Sequence, residues 1–230
     1  MADDPLHETI SDVAALSRIA PRERLIAAAM RLFRRHGINA TGIDAIVGEA
    51  ATAKTTLYKL FGSKTELVDA VLRSEGRIWR EWFIAAIEQA AGPRARLDAI
   101  FPVLKRWFAE NDYSGSVFVN AVGEHDTDET RLRAIALQHK SIVVAHIAAL
   151  AAEAGARKPE AVAQQIWLLM DGAVVAAMVT RDPAVADLAG KAAAVLLDHA
   201  SGVSRVRRPR RRRLQGGAAA LAKEDLSVVD

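Results

Sequence analysis

The chain has 230 residues, 51% of them hydrophobic, with a mean hydropathy of +0.07 and a formal net charge of +3, enough to bury a sizeable core and hold one or two domains. It contains no cysteine, which excludes disulfide frameworks and thiolate metal sites and fits a reducing compartment. Charge is segregated: residues 1–21 carry net −3, 22–64 net +5, 65–200 net −4 and 201–230 net +5, a distribution suited to a polyanion at one end and another task elsewhere.

The start, MADDPLHETISD, is acidic and lacks the basic and apolar regions of a signal peptide, so residues 1–20 read as a flexible arm on a cytoplasmic protein. PRERLIAAAMRLFRRHG puts Leu25, Ile26, Ala29, Leu32 and Phe33 on one helical stripe between Pro21 and Gly37. TGIDAIVGEA follows, with Thr41 and Asp44 in capping-box spacing and Ile43, Ile46 and Val47 inward. Next comes a short segment, KTTLYKLF, whose only large aliphatic or Phe anchors are Leu57, Leu60 and Phe61. A helix under about 12 residues is marginal in water, so something must hold this one in place.

SKTE, Ser63 to Glu66, is a second capping box and launches a helix through Leu67, Val68, Val71 and Leu72 that continues past Gly76 to Trp79, Trp82 and Phe83. Further helices are expected over 94–110, 116–123, 128–154, 159–180 and 183–200, three of them beginning near Pro93, Pro159 and Pro183. His125, Asp126 and Asp128 read as a loop and helix cap. The longest apolar run, Ile166 to Val179, is broken by Asp171 and falls short of a bilayer span of about 20 residues. After Gly202 an arginine block and a glycine pair read as a disordered tail. No strand pattern of useful length occurs, and the expected fold class is all-α.

Two short helices separated by Ala51, Thr52 and Ala53 form a helix-turn-helix arrangement. Its second helix would be gripped through Leu57 and Phe61, presenting Lys54, Thr55, Thr56, Tyr58 and Lys59 to phosphates and base edges. On its own, a polar helix face needs no such function. The order of motifs adds weight: an amphipathic helix ending at Gly37, then Thr41-x-x-Asp44, then KTTLYKLFGSKTEL resembles the DNA-binding domain of the TetR family of transcriptional regulators, over roughly residues 22–72. The resemblance implies phosphate contacts from Thr41, Tyr58 and Lys64, and a recognition helix carrying Lys54, Thr55, Thr56 and Lys59. Ala51 stands where the family usually has glycine, Ala53 where a serine commonly caps, with Thr52 as the substitute, and Leu60 where a histidine is frequent.

The implied organisation is an arm (1–20), a three-helix DNA-binding domain (21–66), a larger helical ligand-binding and dimerisation domain (67–201) and a basic tail (202–230). An apolar effector pocket is expected from Trp79, Phe83, Phe101, Leu104, Phe108, Phe118, Trp167 and Met170, with His139 as a polar contact; for any one of them plain core is the commoner fate. Trp107 falls beside its helix stripe and is expected outward. His139 and His146 lie seven residues apart, a rise of about 10.5 Å, too far to share an ion, so they read as core or pocket histidines; no metal or other cofactor is expected. Helix 159–180 is apolar on two sides, and with KAAAVLLDHA it suggests a homodimer through Val174, Ala177, Ala192, Val195 and Leu196. No catalytic motif is present. The expectation is a homodimeric, ligand-responsive regulator of a double-stranded DNA operator, a repressor by resemblance, without membrane partners. Its rivals are a non-specific nucleic-acid binder driven by the arginine tail and an all-α small-molecule-binding protein or enzyme.

Overall fold

The structure, a computed structural model, describes residues 19–110, 113–124 and 130–201. The readings of the arm before Ile19, of His125, Asp126 and Asp128, and of the tail from Gly202 lie outside those residues. The described residues form nine helices and no strand: α1 (Pro21–His36), α2 (Ile43–Glu49), α3 (Lys54–Phe61), α4 (Lys64–Glu88), α5 (Pro93–Phe108), α6 (Val117–Gly123), α7 (Thr130–Glu153), α8 (Pro159–Thr180) and α9 (Val185–Ala200). The fold is all-α, with an amino-terminal helix-turn-helix unit.

Local chemistry sets most of the boundaries. Pro93 and Pro159 occupy first-turn positions, where a missing N–H costs nothing; Pro183 instead sits in the turn ahead of Val185. Ser63 caps α4 by accepting from the Glu66 N–H at 3.2 Å. The corresponding expectation at Thr41 fails. The α2 N-cap is Gly42 and receives no side-chain bond, because the Thr41 hydroxyl is buried and donates to the Gly37 carbonyl at 2.6 Å.

Two apolar clusters organise the molecule. The first joins Leu25 and Phe33 of α1, Ile46 of α2, Leu57 and Phe61 of α3 and Leu67 and Val71 of α4, and extends to Phe118 of α6 and Ile135 of α7. The second is built from Trp79, Phe83 and Ile87 on the far half of α4 with the inner faces of α5, α7, α8 and α9. Helix α4, 25 residues and about 37 Å long, is the rod common to both, and it runs without interruption through Gly76. Helices α7 and α8 are long and apolar enough to cross a bilayer by length and composition alone, yet each turns one face into the second cluster. The 159–180 run, broken by Asp171, is thus one 22-residue helix.

Candidate nucleic-acid interface and ligand cavity

Helix α3 has only eight residues and no side-chain cap, since its N-cap is Ala53 and Thr52 makes no such bond. Leu57 and Phe61 hold it: both are buried, while Lys54, Thr55, Tyr58, Lys59 and Leu60 are exposed and Thr56 and Thr52 are half-buried. Gly62, at φ +76°, ends the helix in a conformation L side chains avoid. Lys54 bridges Asp44 of α2 at 2.9 Å, which raises its pKa through that hydrogen bond and charge. Exposed pairs of this kind contribute little, so the ammonium is readily surrendered to another anion.

Two residues assigned to phosphate contacts have internal partners. Thr41 spends its only donor on Gly37 and is 3% exposed, which turns it into a brace for the α1–α2 loop. The Lys64 ammonium donates to the Ile38 carbonyl at 2.8 Å, leaving two of its three protons for other acceptors. Ala51, in the turn between α2 and α3, has φ +46°, a left-handed conformation that costs a non-glycine residue about 1–2 kcal/mol. Against the extra unfolded-state entropy of glycine, Ala51→Gly is expected to raise stability by about 0.5–1 kcal/mol, read as an upward shift in thermal midpoint with the fold unchanged.

A cavity of about 420 Å³ lies between α4, α5, α6, α7 and α8. Of the sequence candidates, Trp79, Leu104, Phe118, His139, Trp167 and Met170 line it, whereas Phe83, Phe101 and Phe108 are core. Phe83 stacks on Trp79 at 4.8 Å and does not line the cavity. Trp107, expected outward, turns inward: its ring meets Trp79 edge-on at 5.4 Å and Tyr113 at 5.1 Å, and it lines the cavity. Apart from His139, sequence reasoning missed the polar lining, including Glu75, Glu110, Tyr113, Lys140 and Asp171.

Close approach is built into the cavity wall. A Cβ on Gly76 would lie 2.7 Å from the Phe118 ring and 3.0 Å from His139 Nδ1, so only glycine lets α6 and α7 pack this tightly on α4. Burial, with the Arg80 guanidinium 3.0 Å from Nδ1, pushes His139 down to about 4, leaving the imidazole neutral at physiological pH. Since arginine can only donate, Nδ1 is the acceptor. Burial raises the Asp171 carboxyl above the usual range against the opposing influence of Lys140 and the Trp167 indole N–H, and burial raises Tyr113, whose hydroxyl donates to the Val174 carbonyl at 2.8 Å. His146 faces elsewhere, its Nε2 3.3 Å from Glu88, so the two histidines share no partner.

The cavity wall is tied directly to the helix-turn-helix unit. Arg34 of α1 pairs with Glu75 of α4, and both line the cavity. At the end of α6, the Glu124 carboxylate accepts from the Asn39 backbone N–H at 2.9 Å and its carbonyl from the Asn39 side chain at 2.6 Å. Arg131 of α7 pairs with buried Asp69 of α4.

The dimer candidates divide. Val174 and Ala177 face the protomer's own second cluster, 8% and 2% exposed, and are corrected to core positions. Ala192 and Val195 are exposed and Leu196 half-buried. The open face of α8 carries Leu168, Val175 and Val179, at seven- and four-residue spacings, and that of α9 Leu188, Ala192 and Val195, at four- and three-residue spacings, which place each set on one helix side.

The family model for bacterial regulatory proteins of the tetR family matches residues 25–71. Among curated proteins, the HTH-type transcriptional regulator BetI of Agrobacterium fabrum is 39% identical over 83 residues, 36% of this chain and 40% of that protein, so this match spans well under half of the relative's length. Among solved structures, a TetR-family transcriptional regulator from Streptomyces coelicolor is 27% identical with a TM-score of 0.72, covering 79% of this chain and 96% of the other. A TetR-type regulator from Streptomyces avermitilis is 29% identical with a TM-score of 0.70, covering 79% and 98%. The helix-turn-helix segment, residues 25–71, is thus of the tetR family of bacterial regulatory proteins, and the likeness in fold extends along the larger helical part.

Proposed function

We propose that the protein is a cytoplasmic, homodimeric repressor that binds a roughly palindromic operator through α3 and releases it when a small, largely apolar molecule fills the cavity. The observation that carries this reading is the double tether between cavity wall and DNA-binding unit: Glu75 to Arg34 and Glu124 to Asn39. A ligand that displaces α6 or the middle of α4 pulls on α1 and on the loop after it. Recognition helices of a dimer must sit about 34–36 Å apart, or a multiple, to enter successive major grooves. A few ångströms of displacement therefore break the match. The ligand acts only through tighter binding to the DNA-free arrangement, and operator must weaken ligand binding by the same factor.

The test is selection of bound fragments from a random duplex library, followed by titration against salt and competitor. A specific regulator retains a large preference for one sequence as salt rises, whereas a tail-driven binder loses nearly all affinity and an enzyme binds nothing. On the selected duplex, Tyr58→Phe is expected to weaken binding to all sequences alike by about 1 kcal/mol, the loss of one hydroxyl contact. Lys59→Ala is expected to change which sequence is preferred. An unchanged preference for Lys59→Ala and for Thr55→Ala would place the reading surface elsewhere.

A further inference from the structure

We infer that the cavity takes a hydrophobic organic ammonium ion, whose charged head is received by Glu75 within a wall of aromatic rings. This assigns a ligand class to the cavity read above as the effector site and rests on that reading. Tyr113, Trp107, Trp79, His139 and Trp167 form a continuous chain of neighbouring rings, successive centroids 5.1 to 6.2 Å apart. Indole and phenol faces attract cations through their quadrupole, most strongly where water is excluded. The structure already places one cation this way: the Lys140 ammonium lies 5.7 Å from the Trp167 ring centroid.

Glu75 decides the charge. It is 7% exposed, one helical turn before Trp79, and lines the cavity. Its Oε1 pairs with Arg34, but its Oε2 is buried and meets no hydrogen-bond donor among the described residues. That oxygen is already closed to water, and buried charge without a full set of partners is strongly unfavourable, so a turn of the carboxylate toward a cavity donor is favoured. An ammonium N–H supplies the missing donor and the compensating charge together. An anion would instead face Glu75, Glu110 and Asp171 against Lys140 alone, with Arg34 already held by Glu75, the Lys140 ammonium set over the Trp167 ring and His139 uncharged. The ammonium would share Glu75 with Arg34, so the residue that recognises the ligand is also the one that holds α1.

Three probes with one phenylbutyl body and different heads test this: phenylbutylamine, phenylbutanol and phenylbutyrate, titrated at neutral pH by tryptophan fluorescence with the full chain. The amine is expected to bind at least tenfold more tightly than the alcohol, and the carboxylate most weakly. Glu75→Gln is expected to remove the amine's advantage over the alcohol. Equal binding of amine and alcohol by the unmodified protein overturns the assignment, as does tightest binding of the carboxylate or no quenching by any of the three. The unmodified comparison stands even if the variant does not fold. Failure here is separable from failure of the regulator reading: duplex selectivity measured without probe depends on the α3 face alone.

Discussion

Leu168→Arg is expected to turn the protein into a monomer and to lower operator affinity about 10²–10⁴-fold, the loss of effective concentration when two linked half-sites become independent, with the thermal midpoint of the protomer little changed. Leu168 is 66% exposed and is followed along α8 by Val175 and Val179; beside them α9 exposes Leu188, 67%, and Val195, 53%. One exposed leucine needs no explanation. A contiguous apolar stripe on two adjacent helices does, and a two-fold interface buries the same stripe on both copies. An arginine placed there is desolvated without a partner in the dimer and fully solvated in the monomer, so only association suffers. A charge at Val174 or Ala177 would enter the protomer's own core and unfold it, which separates the two faces of α8 experimentally. Sedimentation and duplex titration give the readout; a dimer of undiminished affinity for itself would remove the stripe from the interface.

How far this was legible in the sequence follows the range of the interactions involved. Helix extents came from local pattern, and Ser63 caps α4 as the Ser63–Glu66 spacing predicts. Thr41–Asp44 has the same spacing and fails, because the Gly37 carbonyl four residues back captures the threonine hydroxyl first. That α8 is apolar on two sides was readable; which side is the core was not. Val174 and Val175 are chemically identical neighbours, and only the packing of α5, α7 and α9 on α8 decides that one is 8% and the other 41% exposed. The cavity shows the same limit. Its aromatic lining follows from residue types, but Glu75, Glu110 and Asp171 read as ordinary helix-surface carboxylates until tertiary structure brings three helices together. Trp107 was misplaced for that reason too: the helix stripe describes one partner face, and α5 has a second one turned toward Trp79 and Tyr113.

Leu57→Ala is expected to abolish specific operator binding while leaving the larger helical part intact. Removing a fully buried leucine costs about 2–5 kcal/mol, and here the loss falls on an element with little else to hold it. Helix α3 is eight residues long and uncapped, well below the length at which a helix persists alone. Its docking therefore depends on Leu57 and Phe61, 0% and 6% exposed, against α1, α2 and α4. A loss of about 3 kcal/mol in docking corresponds to roughly a hundredfold fall in affinity for a selected duplex. Leu57→Met, which conserves volume, should recover most of it. All four tryptophans, Trp79, Trp82, Trp107 and Trp167, lie on α4, α5 and α8, so their emission reports only on the second cluster. It should be unchanged in Leu57→Ala at the temperature where duplex binding is gone, and probe binding in the cavity should persist. If emission and duplex binding are lost together, the two clusters melt as one and α3 is not separately held. If specific binding survives, α3 is not the reading helix.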